Sequence, residues 1–390
     1  MKAALVLGLG LSALSAHAPA QGIALESRFA PRLDRTDSGI SVRYELHVVN
    51  RGKAEVELRA LQVRDAATGG TLLTLTGDRL RAAVAPGRGG CDPVRHLVSP
   101  GSECLVYVDT DRVRAAPGML RSSITFLKDG SAGRADLIQR AADDAGPPLG
   151  PPLGAGLWVA VHHPDWPRGH RRVFYPSPRG EVLPGRFAID FVKVASTGAT
   201  SCGDPDRPSD ALGYGDPVLA VAAGRIAATR NGIEESRSIS ANRAHDAATA
   251  PGNYVVLNLG GGKFATYEHL RPGSIRVRAG QLVRRGAILG ELGFTGDSTG
   301  PHLHFHVSDS ASPLGGEGLP FVFDRFSLWG DYPDIAHLGR ARWRSSPRRS
   351  VASARPGANS VVSFAALAPA TPESQPAHCA ASGVSSGEMG

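Results

Sequence analysis

The chain has 390 residues, 42% of them hydrophobic, with 43 Lys and Arg against 36 Asp and Glu and a formal net charge of +7. That length predicts two or three folded units, and the apolar content is ordinary for globular protein. Few aromatics interleave the arginines and there is no recognition motif, which argues against nucleic acid as a partner. Attraction to an anionic cell envelope and plain solubility remain as uses of the charge.

Residues 1–20 read as a secretory signal peptide. Met1-Lys2 is a short basic start, residues 3–14 are apolar, and Ala16-His-Ala18 and Ala18-Pro-Ala20 are small-residue cleavage sites. The apolar stretch is too short to span a bilayer, and no other run is long enough to form an integral membrane segment. The expected product is exported, periplasmic or extracellular. In that setting Cys91 and Cys104, flanking a Pro- and Gly-containing loop, are expected to form a disulfide. Cys202 and Cys379 remain, with nothing in the sequence requiring them to pair.

Residues 21–145 predict an antiparallel β-sandwich. In Ile40-Ser-Val-Arg-Tyr-Glu-Leu-His-Val48 the apolar residues take every even position, the period of a strand with one buried face. Further short runs follow, separated by turn signals at Asn50-Arg-Gly52, Gly69-Gly70 and Pro86-Gly87. No polar cluster converges in this region, so it is read as a placement or binding domain. Residues 146–156 read as a linker, because Gly146-Pro-Pro-Leu-Gly-Pro-Pro-Leu-Gly154 suits neither helix nor central strand.

Residues 157–330 predict a second, antiparallel β-sheet domain, making the chain all-β. Asn253-Tyr-Val-Val-Leu-Asn-Leu259 and Lys263-Phe-Ala-Thr-Tyr267 are two strands joined by three glycines. Residues 234–252 read as an inserted surface loop. Residues 331–390 read as a basic segment, with Arg342, Arg344, Arg348 and Arg349, followed by a low-complexity disordered tail.

The most informative segment is His302-Leu-His-Phe-His-Val307. On a strand its three imidazoles share one face, and Leu303, Phe305 and Val307 take the other. Three histidines on one face bury little apolar surface and repel one another when charged, so their natural use is to hold or work beside a metal ion. Asp190, inside the apolar run Phe187-Ala-Ile-Asp-Phe-Val192, is expensive to bury without a compensating cation. It is the first choice as an acidic ligand, against a salt bridge to Arg186 or Lys193. His269, in Thr266-Tyr-Glu-His-Leu270, lies just past a strand end, where a side chain can overhang a cleft.

Taken together, Asn253-Tyr-Val-Val256, Tyr267-Glu-His-Leu270, the Gly296-Asp-Ser-Thr-Gly-Pro-His-Leu-His304 block and the turns around Gly286 and Gly293 resemble the lysostaphin and LytM-type zinc endopeptidases. The resemblance covers roughly residues 180–307. It implies a small antiparallel sheet with a Zn²⁺ cleft, acting on peptides of bacterial peptidoglycan. It further implies His304 and Asp190 as metal ligands, with His302 and His269 beside the reacting water as catalytic groups.

Two positions depart from that family's pattern. Arg186 stands where the opening ligand histidine belongs, and guanidinium has no lone pair for a metal. His170 is the best substitute: a hairpin over residues 176–185 would return the chain beside it, near Asp190. His162 and His163 are weaker candidates, because Pro164 and Pro167 suggest a loop. His306 stands where relatives usually carry an acid. The sequence therefore supports an exported zinc endopeptidase, with metal ligands Asp190, His304 and His170. A catalytically impaired module that binds peptidoglycan or activates another wall hydrolase is the alternative.

Overall fold

The computed structural model describes residues 22–113, 115–167, 169–178 and 180–364. The signal peptide reading and Cys379 lie outside them. The chain divides into two compact units: one built up to Pro31 and from Val42–Ala142, the other from Arg32–Ser41 and from Asp143 on. Among the described residues no helix is long and apolar enough to cross a membrane.

The first unit contains two antiparallel sheets. In one, Ile23–Glu26, Gly39–Asn50, Glu103–Asp109 and Val84–Pro86 lie side by side. In the other, Ser131–Arg140, Met119–Lys128, Val56–Asp65, Leu97–Val98 and Cys91–Asp92 follow in order, with Thr71–Thr76 also on Val56–Asp65. The Tyr44 hydroxyl, 2.7 Å from Ser122 Oγ, links the two sheets inside the core. The alternating positions Val42, Tyr44, Leu46 and Val48 are buried as the period requires, but so are Arg43, Glu45 and His47. The intervening polar residues are thus not a solvated face. Arg43 Nε, for example, donates to Asp109 Oδ2 at 2.8 Å. Cys91 and Cys104 are disulfide-bonded, closing a loop of a size that stabilises by about 3 kcal/mol in the chain-entropy account.

The second unit is organised by a ten-stranded antiparallel sheet. Its order is Leu282–Val283, Gly224–Arg230, Asn253–Gly260, Lys263–Leu270, Leu303–Ser308, Ile189–Val194, Leu157–Val161, Ser360–Ser363, Phe323–Asp331 and Arg344–Ala354. The hairpin after Gly260 turns on Gly260, Gly261 and Gly262, all at positive φ, a conformation glycine adopts without steric cost. At the centre, Tyr267, Leu303, Phe305, Ile189 and Phe191 are fully buried in one core with Phe321 and Phe323. The opposite pleats of the same three strands carry Glu268, His304, His306 and Asp190.

Two expectations require correction here. The 146–156 segment is not a free linker: Leu149 and Leu153 are buried in the core of the second unit, and each bridges to a strand, at Phe323 and Val218. The prolines exclude regular structure but leave the leucines free to pack. Nor is the 331–390 segment disordered over its described part. Arg344–Ala354 is an edge strand of the sheet and Ser360–Ser363 an interior one. The arginine-rich strand looks like a linker in sequence because nearly all of it is exposed. An edge strand needs backbone pairing more than an apolar face. Within the same stretch Arg355 is fully buried, forked onto Asp34.

Candidate metal centre

The centre is built by register. Asp190 and His304 are Cα partners across one strand pair, and His304 and Glu268 are partners across the next. Directly opposed side chains on one face stand within about 5.5 Å at Cβ. The pairing therefore delivers a carboxylate to each flank of His304, and His306 follows two residues along on the same pleat.

His170 reaches this face from outside the sheet. It opens a 3₁₀ turn, His170–Arg172, packed against the second 3₁₀ turn, Pro184–Phe187. A Cβ on Gly185 would stand 2.8 Å from the Cβ of His170, so only a glycine there permits the approach. The expected hairpin is present as Tyr175–Ser177 with Gly180–Val182. Val173 is not part of a strand and is exposed. His170 Nε2 lies 2.8 Å from Asp190 Oδ2, and His304 Nδ1 lies 2.8 Å from Asp190 Oδ1. One ligand atom from each of His170, Asp190 and His304 falls within 4.8 Å of the other two.

Arg186 does not enter the centre. It is buried and paired with the buried carboxylate of Glu317 at 2.6 Å, and it donates to the Gly318 carbonyl at 3.1 Å. The position that departs from the family pattern thus anchors the loop after the histidine strand, and His170 stands beside Asp190. Lys193 pairs with Asp216, not with Asp190. Neither alternative salt bridge to Asp190 is present. His162 Nε2 lies 3.0 Å from the Pro356 carbonyl and beside Arg355, away from Asp190.

His269 and His302 stand next to each other, ring centroids 4.8 Å apart. His269 lies not past its strand but within it, one residue before the end at Leu270, at a φ of 64°, a left-handed conformation that costs a non-glycine residue about 1–2 kcal/mol. Its Nδ1 lies 2.7 Å from the Thr295 carbonyl. The Thr295 hydroxyl in turn bonds Asn253 N and the Leu270 carbonyl, tying the Gly296 loop to both neighbouring strands. Gly296 has a φ of 80°, and a Cβ there would meet Ala250 O at 2.4 Å. His302 Nδ1 lies 2.7 Å from the Gly300 carbonyl, with its Nε2 3.5 Å from Asp190 Oδ1. The 234–252 loop holds this region from outside: Asn242 donates to the carbonyls of Gly296 and Ser298, and Glu235 accepts from Phe294 N.

Burial raises the pKa of Asp190, but His170 and His302 outweigh it and hold the carboxyl well below its ordinary range. Burial lowers that of His302, yet Asp190 carries it above the usual imidazole value; the same balance holds for His170. His269 is pushed well below the usual range by burial and by His302 and His304. Glu268 is raised by burial.

Glu268 is the residue that sequence reading passed over. It shares a second close group with His269 and His304, and its Oε1 has no hydrogen-bond partner. The signal was present: Tyr267 faces the core, so period two sends Glu268 to the histidine face. The donor set of His170, Asp190 and His304, two imidazole nitrogens and one carboxylate, fits Zn²⁺ with a position left open for substrate or water.

Residues 211–315 match the family described as peptidase family M23, a span that holds His269, His302 and His304 but stops short of Asp190 and His170. Two curated relatives come from Vibrio cholerae. Peptidoglycan DD-endopeptidase ShyA is 36% identical over 104 residues, 27% of this chain and 20% of its own. Peptidoglycan DD-endopeptidase ShyB is 46% identical over 56 residues, 14% and 13% of the two chains. This chain therefore spans a fifth or less of the length of these relatives. Similar solved structures include the catalytic domain of lysostaphin from Staphylococcus simulans, at 21% identity over 43% of this chain and 88% of that one, TM-score 0.22. A zinc-containing peptidase from Vibrio cholerae matches at 17% identity over 73% and 81%, TM-score 0.24. At those scores the overall superpositions bear no structural weight. The likeness to peptidase family M23 thus lies in residues 211–315, the segment that carries His269, His302 and His304.

Proposed function

We propose that the chain is an exported, zinc-dependent endopeptidase that hydrolyses peptide bonds in peptidoglycan stem peptides or cross-bridges. The observation that carries this reading is the convergence of Asp190, His304 and His170 on one point, with His269 and His302 beside it. The relatives' activity on peptidoglycan supports the substrate class, and the signal-like residues 1–20 support export.

Asp190, His304 and His170 would hold the ion. Bound zinc supplies the Lewis acidity that makes water a nucleophile near neutral pH and polarises the scissile carbonyl. His269 and His302 each place Nδ1 against a backbone carbonyl, which can only accept, so Nδ1 carries the proton. Each ring then presents Nε2 to the reaction. One Nε2 takes the proton of the attacking water and returns it to the leaving amine; the other, when protonated, donates to the developing oxyanion. Arg186, occupied by Glu317, is not one of the groups around Asp190.

The test is digestion of purified sacculi by the mature protein, with new amino termini counted before and after chelation and after zinc is restored. Release that stops with chelator and returns with zinc is expected. A protein that binds sacculi and holds zinc but frees no amino termini is a binding module, and the enzymatic reading then fails.

A further inference from the structure

We propose that the first unit carries a second ligand site, an open cavity of about 490 Å³ that takes a short peptide by its free carboxylate. That volume is in the range of small-ligand sites. All of its lining residues belong to the first unit. Binding there needs no metal, so the site does not rest on the zinc reading. Three segments build it. Strand Val56–Asp65 supplies Glu57, Leu58 and Arg59, and the short helix Gly77–Ala83 supplies Arg81. The loop between Cys91–Asp92 and Leu97–Val98 supplies Val94, Arg95 and His96. The arginines come from three places in the chain, so the sequence shows no convergent polar cluster in this unit; folding makes one. The register against Met119–Lys128 steps from Leu58↔Phe126 to Ala60↔Thr125 and leaves Arg59 as the extra residue of a bulge. A bulge bends its strand and re-aims the side chains around it.

The loop is fixed in advance of any ligand. Cys91 is disulfide-bonded to Cys104. Asp92 Oδ1 accepts from Val94 N and Arg95 N, each at 3.0 Å, and the His96 carbonyl accepts from Leu58 N at 2.9 Å. His96 stands at a φ of 60°, a strain that a loose loop would relax. A wall ordered beforehand loses little freedom on binding. Its chemistry selects the ligand. Arg59, Arg81 and Arg95 pair with Glu57, Asp78 and Asp92, but their side chains are 52, 53 and 73% exposed, and ion pairs in water contribute little. Their guanidinium forks can turn to a carboxylate and hold it in bidentate contact. Glu57, on the same wall, accepts N–H groups and repels an anion of several charges. A peptide end satisfies both, with a carboxylate for the arginines and an N–H for Glu57; phosphate offers only the charge. Val94, apolar and 64% exposed, gives the rim a surface for a small side chain. Stem peptides have this chemistry, and a second hold on one polymer raises the local concentration of the other contact. The choice of probe, not the site, rests on the proposed substrate class.

The test is a titration of the full mature protein, treated with chelator to remove turnover, with a soluble stem tetrapeptide. Binding is followed by backbone ¹H–¹⁵N shifts. Saturable shifts are expected at residues 57–59, 77–81 and 94–97. The same peptide with its carboxylates converted to primary amides, and inorganic phosphate, are each expected to bind about tenfold more weakly or not at all. Arg59→Gln combined with Arg81→Gln is expected to weaken the tetrapeptide about tenfold or more, the usual effect of losing hydrogen bonds to a charged group. Both side chains are more than half exposed, so the variant is expected to fold, and the wild-type titration decides by itself where it does not. No shift at these residues, shifts confined to the surroundings of Asp190 and His304, equal affinity in the double variant, or phosphate bound as tightly as the peptide would each overturn the proposal. The outcome is separable from that of the proposed activity. Shifts at this cavity in a protein that frees no amino termini from sacculi keep the site and remove the enzyme. Amino termini released by a protein without such shifts do the reverse.

Discussion

His170 and His304 each meet one oxygen of the same carboxylate, one from a 3₁₀ turn and one from the central sheet. Either imidazole alone leaves Asp190 with a single nitrogen neighbour of the ligand set. His170→Ala is therefore expected to lose zinc as completely as His304→Ala, measured by metal content after gel filtration; full occupancy in His170→Ala would remove it from the ligands. His269 and His302 stand one step further out. Their Nδ1 atoms are committed to the carbonyls of Thr295 and Gly300. His269→Ala and His302→Ala are expected to keep zinc and lose about a hundredfold or more in turnover of cross-linked stem peptides. Variants that lose metal would make these residues ligands.

At the scale of elements, two turns and two loops carry the centre, and each is held by a buried polar contact. Arg186 and Glu317 are both 3% exposed at the side chain. Removing one member of such a pair strands the other charge in the core and costs about 3–5 kcal/mol. Arg186→Met should show that loss in denaturant unfolding. Arg186→Met combined with Glu317→Gln should recover much of it, since the amide still accepts from Leu183 N. In the first unit, His47 is buried and its pKa is lowered by burial and by Arg28. The unfolded chain takes up this proton near pH 6.5 and the folded unit resists it. Stability then falls as pH drops below about 6.5. His47→Gln is expected to flatten that slope relative to wild type in urea titrations at pH 7.5 and 5.5; an unchanged slope would show that His47 protonates without cost.

Across the whole molecule, zinc held by Asp190, His304 and His170 would be linked to the fold of the second unit, because the unfolded chain does not bring these residues together. Free zinc at a thousandfold over Kd would stabilise the folded form by about 4 kcal/mol. Chelation is expected to lower the thermal midpoint of the full chain. In Asp190→Asn the midpoint should no longer respond to chelator. A wild-type midpoint that ignores chelator would mean that the three residues hold no metal in solution.

Much of this was open to reading from the residues alone. Period-two alternation placed His304 and His306 opposite Phe305. An acid in an apolar strand singled out Asp190, and the turn glycines marked the 260–262 hairpin. These features are local: backbone period and turn chemistry act over a few residues, so a sequence displays them directly. The tertiary structure alone decided the rest. That Leu149, Leu153 and the strands Arg344–Ala354 and Ser360–Ser363 belong to the second unit depends on partners far along the chain, and exposed edge residues carry no apolar signature of their pairing. That Arg186 turns to Glu317 and His170 to Asp190 depends on how two short 3₁₀ turns pack, with Gly185 admitting the His170 backbone. Contacts of that kind, 20 to 132 residues apart, are made by packing and register, which no local pattern encodes.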